Sequence, residues 1–267
     1  MMIKSFKKLF ASRPERILPA LAEGERIYAV GDVHGRLDLL VSLAEAIEAD
    51  NARRGPAEVT VIMLGDLIDR GPDSAGVLKA VRIWAEQRKL RFITGNHEEM
   101  FLEALENPEV LRHFLRYGGK ETLLSYPIDP LAYTEAEIEE VQALMADSIP
   151  QDDIDFIRGF EDIIVSGDYV FVHAGIHPGT PLEEQRVSQL RWIREPFLSH
   201  SGDHGFVVVH GHTINREAEV LLNRIGIDTG AYDSGRLTAL GLEGTDRWLI
   251  ETRDEQGTIT AATRPAE

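Results

Sequence analysis

The chain of 267 residues contains no cysteine. That absence excludes disulfides, thiolate metal sites and a cysteine nucleophile, so a metal would have to be held by Asp, Asn, Glu or His. It also fits a reducing compartment, and a cytoplasmic location is the expectation. No stretch approaches the roughly 18 consecutive apolar residues that a spanning helix needs. The start of the chain lacks the continuous apolar core and small-residue cleavage site of a signal peptide. Basic residues are in short supply: 28 Lys and Arg stand against 45 Asp and Glu, a net charge of −17. Nonspecific nucleic-acid binding needs clustered Lys and Arg to displace counterions, so nucleic acid is not an expected partner. An anionic substrate would have to be attracted locally, by metal ions and a few arginines. What is present, 43% hydrophobic and 27% charged residues, is the composition of an ordinary globular domain with one sizeable core.

Short apolar runs punctuated by glycine organise the chain. Arg26 to Val30, Val59 to Leu64, Leu90 to Thr94, Ile163 to Ser166, Tyr169 to Val172 and Phe206 to Val209 read as buried strands. Shorter strands follow at about Glu219 to Leu222, Arg224 to Asp228, Leu237 to Leu242 and Trp248 to Thr252. Gly167-Asp168 fits a two-residue hairpin turn. Helical spacing runs from Leu37 to about Arg53, and Ser74 is placed to cap a helix through Trp84. From Glu98 to about Arg158 the pattern is mostly helical, which suggests an insertion lying over whatever site the strands build; its acidic stretch Leu131 to Asp147 reads as a solvated face. Residues 1–25 are set apart as an N-terminal extension, 26–252 as a single domain carrying the insertion at about 98–160, and 253–267 as a tail where the order signal fades. Met1 to Arg16 places Ile3, Phe6, Leu9 and Phe10 among lysines and arginines. It reads as a short packed helix or a frayed end, with a marginal membrane-surface contact as the alternative.

The polar residues collect where strands end. GDVHG (Gly31 to Gly35), GDLIDRG (Gly65 to Gly71), GNHEE (Gly95 to Glu99), His173-Ala174-Gly175 and His210-Gly211-His212-Thr213 each follow an apolar strand. In open α/β sheets ligands bind at that edge. One such histidine is more often a structural hydrogen-bonding residue. Five clusters of carboxylates and imidazoles on one edge are another matter, because buried charge without a partner is costly. Gathering Asp32, His34, Asp66, Asp69, Asn96, His97, His173, His210 and His212 makes sense mainly around cations.

In that order, the five motifs resemble those of the calcineurin-like metallophosphoesterases, and more narrowly the bacterial and phage branch of the serine/threonine phosphoprotein phosphatases. The likeness spans about Arg26 to Leu242. It implies a four-layer α/β/β/α sandwich of two mixed sheets with a two-metal site between them. By resemblance, Asp32 and His34 would bind the first metal, Asp66 would bridge, and Asn96, His173 and His212 would bind the second. His212, the histidine after glycine, is chosen over His210, for which packing or a supporting contact is expected. His97 would be the general acid and Asp69 its orienting partner. Arg70, with Asn96, would hold phosphate oxygens, and Arg194 stands where phage-type relatives place a second phosphate arginine. Two divalent ions are implied, manganese first, with iron, zinc or magnesium as alternatives. A hydroxide between the ions would then attack phosphorus in line while an imidazole protonates the leaving alkoxide.

Rival readings remain. Symmetrical diadenosine tetraphosphate hydrolases share the fold, but tend to carry a small residue where Asp69 stands and GNHD where this chain has GNHE; both departures favour a phosphoprotein or small phosphomonoester substrate. A nuclease would carry a further histidine two places after His212, where this chain has Ile214, with Asn215 beyond it. An inactive metal-binding module would have lost a ligand or the acid, and all seven residues (Asp32, His34, Asp66, Asn96, His97, His173, His212) are present. The oligomeric state is not legible.

Overall fold

A computed structural model describes residues 18–266. The amphipathic reading of Met1 to Arg16 lies outside the described residues. In chain order the strands are β1 Glu25–Val30, β2 Glu58–Met63, β3 Lys89–Phe92, β4 Ile164–Ser166, β5 Tyr169–Phe171, β6 Val207–His210, β7 Glu219–Val220, β8 Arg224–Gly226, β9 Arg236–Glu243, β10 Asp246–Glu255 and β11 Thr258–Pro265. The helices are α1 Leu37–Arg53, α2 Ser74–Ala85, α3 Asn96–Ala104, α4 Pro108–Phe114, α5 Lys120–Ser125, α6 Pro130–Glu135, α7 Ile138–Ser148, α8 Gln151–Arg158, α9 Val187–Trp192 and α10 Ala231–Ser234. One sheet has the order β11-β10-β9-β1-β2-β3 and the other β4-β5-β6-β8-β7. Both are mixed: β1, β2 and β3 run parallel while β9 joins β1 antiparallel, and β5, β6 and β8 run parallel between antiparallel β4 and β7.

Alternation along the strands sorts the side chains into layers. Ile27 and Ala29 of β1 meet Tyr169 and Phe171 of β5 and Val207 and Val209 of β6 in one apolar layer, the contact between the sheets. Tyr28 and Val30 point the other way, into a core with Leu39, Leu43 and Ile47 of α1 and Val77 and Val81 of α2. On the second sheet, Val170, Val172 and Val208 face Leu190, Ile193 and Phe197. Strands buried on both faces must be apolar at every position, which is why they read as continuous runs. The result is the α/β/β/α sandwich that the motifs imply.

The helices from Asn96 to Arg158 bury Leu111, Phe114, Leu123, Val141, Met145, Ile154 and Ile157 in the same core as α1 and α2. The acidic stretch is two helices, α6 and α7, and α7 buries Val141 and Met145. Two expectations fail. Order does not fade after Arg253: β10 turns through Gln256-Gly257 into β11, paired from Glu255↔Thr258 to Trp248↔Pro265. β11 is exposed almost throughout, so it lacks the alternation that one buried face imposes. Ser74 does not cap α2. Asp73 does, accepting the Gly76 N–H at 2.8 Å, while the Ser74 hydroxyl is buried and committed elsewhere.

Candidate active site

The first two motifs form one structure. The Asp66 carbonyl accepts the N–H groups of Val33 and His34, and the Leu67 carbonyl accepts that of Gly35. The loops touch backbone to backbone: a Cβ on Gly35 would stand 2.8 Å from the Gly71 carbonyl oxygen. Glu98 ties in the third motif. Its buried carboxylate accepts the N–H of Asp66 at 2.8 Å, Leu67 at 2.7 Å and Gly95 at 2.9 Å. Five site residues have left-handed backbone: His34 (φ 46°), Asp66 (50°), Asp69 (74°), Arg70 (67°) and His212 (63°). Such a conformation costs a non-glycine residue of order 1 kcal/mol or more and persists where surrounding contacts enforce it. Among the described residues, Gln256 in the β10–β11 turn is the one other non-glycine with positive φ.

Asp66 is the centre. Its Oδ2 lies 3.5 Å from His34 Nε2 and its Oδ1 lies 3.5 Å from His173 Nε2. His34 Nδ1 is 2.8 Å from the Ile68 carbonyl, and His173 Nδ1 is 2.8 Å from the Leu64 carbonyl. A carbonyl only accepts, so each Nδ1 carries the proton and each Nε2 presents a lone pair towards Asp66. Burial is the main force lowering both imidazoles, which keeps them neutral. Burial opposes charge on Asp66, whereas protonation of the surrounding imidazoles, His173 first, then His97 and His34, favours it, and the balance holds the carboxyl well below its usual range. His212 is brought down to about 3 by burial, then by His173 and Arg194. Its Nδ1 lies 2.7 Å from Asn96 Oδ1, which lies 3.0 Å from His173 Nε2. Buried His212 Nε2 has no hydrogen-bond partner. Two groups, His34–Asp66–His97 and Asp66–His173–His212, each converge three ligand atoms within 4.8 Å, and Asp66 belongs to both. Neutral imidazoles, an ionised carboxylate and an amide oxygen make a donor set suited to divalent cations.

Beside it stands the pair of His97 and Asp69. His97 Nδ1 is 2.6 Å from Asp69 Oδ2. Burial works against a charged ring, but Asp66 and Asp69 outweigh it and lift His97 above the usual imidazole value. Arg70 spans two rings, donating to His34 Nε2 at 2.9 Å and His97 Nε2 at 2.8 Å. The Tyr232 ring lies 4.8 Å from the Arg70 guanidinium carbon and packs edge-on to His34.

These residues open onto a cleft of about 250 Å³ lined by Asp66, Arg70, Asn96, His97 and His212, with Met100, His113, Tyr117, Trp192 and Arg194 around them. Of the helical insertion, the part reaching this cleft is thus α3, the end of α4 and the α4–α5 turn. The loop from Ile176 to Arg186 contributes nothing to its lining. Asp32 is buried but not in either converging group; its carboxylate accepts the His212 N–H at 3.0 Å and lies against Asp228. His210 is buried edge-on against Phe197, a packing position. Sequence reasoning passed over Asp228, Tyr232 and Thr122, and gave Ser74 and Glu98 other roles. Asp228 carried a usable signal, since it follows an apolar strand and precedes a glycine like the other clusters. Thr122 carried none.

The calcineurin-like phosphoesterase family model matches residues 25–236. Serine/threonine-protein phosphatase 1 of Salmonella typhimurium is 27% identical, over 85% of this chain and 97% of its own length. An asymmetrical bis(5'-nucleosyl)-tetraphosphatase PrpE of Halalkalibacterium halodurans is also 27% identical, over 79% of this chain and 87% of its own. Among solved structures, one described as a putative diadenosine tetraphosphatase superposes with a TM-score of 0.60 at 20% identity, covering 92% of this chain and 98% of the other. That likeness is one of fold.

Proposed function

The chain belongs to the calcineurin-like phosphoesterase family, and from that premise we propose that it is a metal-dependent phosphomonoesterase of the serine/threonine phosphoprotein phosphatase kind. One observation carries the reading: Asp66 sits between two sets of imidazole lone pairs and shares in both converging groups. We assign Asp66 as the ligand common to two divalent ions, His34 and Asp32 to one, and Asn96, His173 and His212 to the other. Manganese is the first candidate. Bound ions would supply an activated water and neutralise charge on the phosphate. The rest falls to the chain. Arg70 and Arg194 line the cleft and hold phosphate oxygens. His97, whose protonated form Asp66 and Asp69 favour, gives its Nε2 proton to the leaving alkoxide. A guanidinium cannot donate to an imidazolium, so Arg70 must leave His97 Nε2 before that proton is delivered, and the anionic substrate is what draws it away.

The test is release of inorganic phosphate from phosphoseryl peptides with manganese, with EDTA abolishing it. A second reading is hydrolysis of a dinucleoside polyphosphate. It is supported by the tetraphosphatases among the relatives and by Tyr117 and Trp192, partly exposed aromatics at the cleft on which a base can stack. Formation of a nucleoside mono- or diphosphate from the dinucleotide, with no phosphate from the peptide, would select it.

A further inference from the structure

The Asp69–Arg70 turn is held from outside the strand-end loops. Asp69 is fully buried and its two oxygens have different partners: Oδ2 meets His97 Nδ1, and Oδ1 accepts the Thr122 hydroxyl at 2.6 Å. The same Thr122 Oγ1 accepts the Asp69 N–H at 2.8 Å. A carboxylate only accepts, so the single Thr122 proton is committed to Oδ1. Ser74 Oγ, 2.9 Å from Thr122 Oγ1 and 3.0 Å from the Asp69 nitrogen, must therefore donate to Thr122 while accepting from Asp69. One residue on, the Arg70 N–H donates to the Gly118 carbonyl at 3.0 Å. Thr122 and Gly118 both belong to the helical insertion, not to any of the five motifs. Thr122 and Ser74 are both inaccessible to solvent, so neither hydroxyl meets bulk water.

We propose that Thr122, backed by Ser74, is the positioning residue for proton delivery by His97. It occupies the second oxygen of Asp69, fixes the plane of that carboxylate and so aims the imidazole at the leaving group. Asp69 touches no substrate and Thr122 touches none; Thr122 acts through Asp69 and His97. The inference rests on the reading of His97 as the proton donor.

A leaving group that needs a proton should feel the loss of Thr122, and one that leaves as a stable phenolate should feel it far less. The experiment compares wild type, His97→Asn, Thr122→Val and Thr122→Ser on a phosphoserine peptide and on p-nitrophenyl phosphate, with manganese and with metal content measured. Thr122→Val is expected to lower kcat on the peptide by about 10–100-fold, the range for a lost orienting contact, with KM kept and a much smaller loss on p-nitrophenyl phosphate. Thr122→Ser, which retains the hydroxyl, is expected to recover most of it. Equal losses on both substrates, or no loss on either, would overturn the inference. If Thr122→Val does not fold, Ser74→Ala carries the same comparison: a smaller loss confined to the peptide supports the assignment, and an even or absent loss ends it. Should His97→Asn itself lose both substrates alike, the donor reading fails, and the inference with it. Should His97→Asn discriminate and Thr122→Val not, the inference fails alone.

Discussion

The two sides of Asp66 are built differently. On the His34 side, the polar groups come from loops of the six-stranded sheet, with left-handed backbone at His34, Asp69 and Arg70. The helical insertion clamps them through Thr122 and Gly118. On the other side, His173 and His212 follow β5 and β6 within two residues of the strand ends, His212 also with left-handed backbone, and His173 is fixed by the Leu64 carbonyl at the end of β2. The first side holds the His97–Asp69 pair and a guanidinium. The second holds neutral rings and an amide. Each side sets an imidazole lone pair beside the shared carboxylate, but the clamped side alone, among the described residues, pairs a raised imidazole with a carboxylate. Binding a cation needs only converging lone pairs, which strand register can provide. Moving a proton needs one aimed atom, and here the turn that carries the orienting carboxylate is held by hydrogen bonds from Thr122 and Gly118.

The sharpest way to break this division is Asp66→Asn, which strikes both sides at once. Both ions are expected to be lost, by elemental analysis, with no measurable turnover; one ion retained would show that the sides do not share the carboxylate. His97→Asn comes next. It should lower kcat on phosphoserine by about 10²–10⁴-fold, the range for a general acid, and leave metal content near wild type. Loss of one metal would instead place His97 among the ligands, as its convergence with His34 and Asp66 allows. The pH profile sharpens the same point. His97 must be protonated to act, and its pKa is raised from 6.5. So kcat is expected to persist beyond that value and fall as pH rises through the raised pKa, and His97→Asn should flatten that basic limb. A limb that survives the substitution belongs to another group.

Smaller effects probe the clamp and the rim. Gly118 has φ 113°, and a Cβ there would stand 2.6 Å from Arg70 Cγ and 2.7 Å from Arg70 N. Gly118→Ala should destabilise the fold by about 1–3 kcal/mol, read as a lowered melting temperature, and raise KM through a displaced Arg70. An unchanged KM would show that the insertion does not set that side chain. Arg194→Ala, at the rim of the cleft, should raise KM only a few-fold, consistent with about 1 kcal/mol for a solvent-facing ionic contact.

Legibility followed local repetition. β1, β2, β5 and β6 were readable because both faces are buried, which forces an unbroken apolar run. The loops after them were readable because glycine beside Asp, Asn or His recurs five times, and a chain gathers so many buried donors mainly to surround cations. β11 was not readable, since exposure removes the alternation that marks a strand. Ser74 was misread as a cap because its hydroxyl is occupied by Asp69 and Thr122, partners near and far in sequence. Glu98 was read as a marker of substrate class, whereas it holds three backbone N–H groups of two different loops.

The sequence by itself determined the chemistry on offer: which donors exist, that they stand at strand ends, and that thiolates play no part. Tertiary structure decided which atoms meet. Asp66 lies between His34 and His173 because two sheets pack face to face, and Asp69 is gripped by Thr122 because a helix more than fifty positions on folds back against it. Residue type and periodicity are local properties of a chain, whereas the approach of two side chains distant in sequence depends on the packing of everything between them.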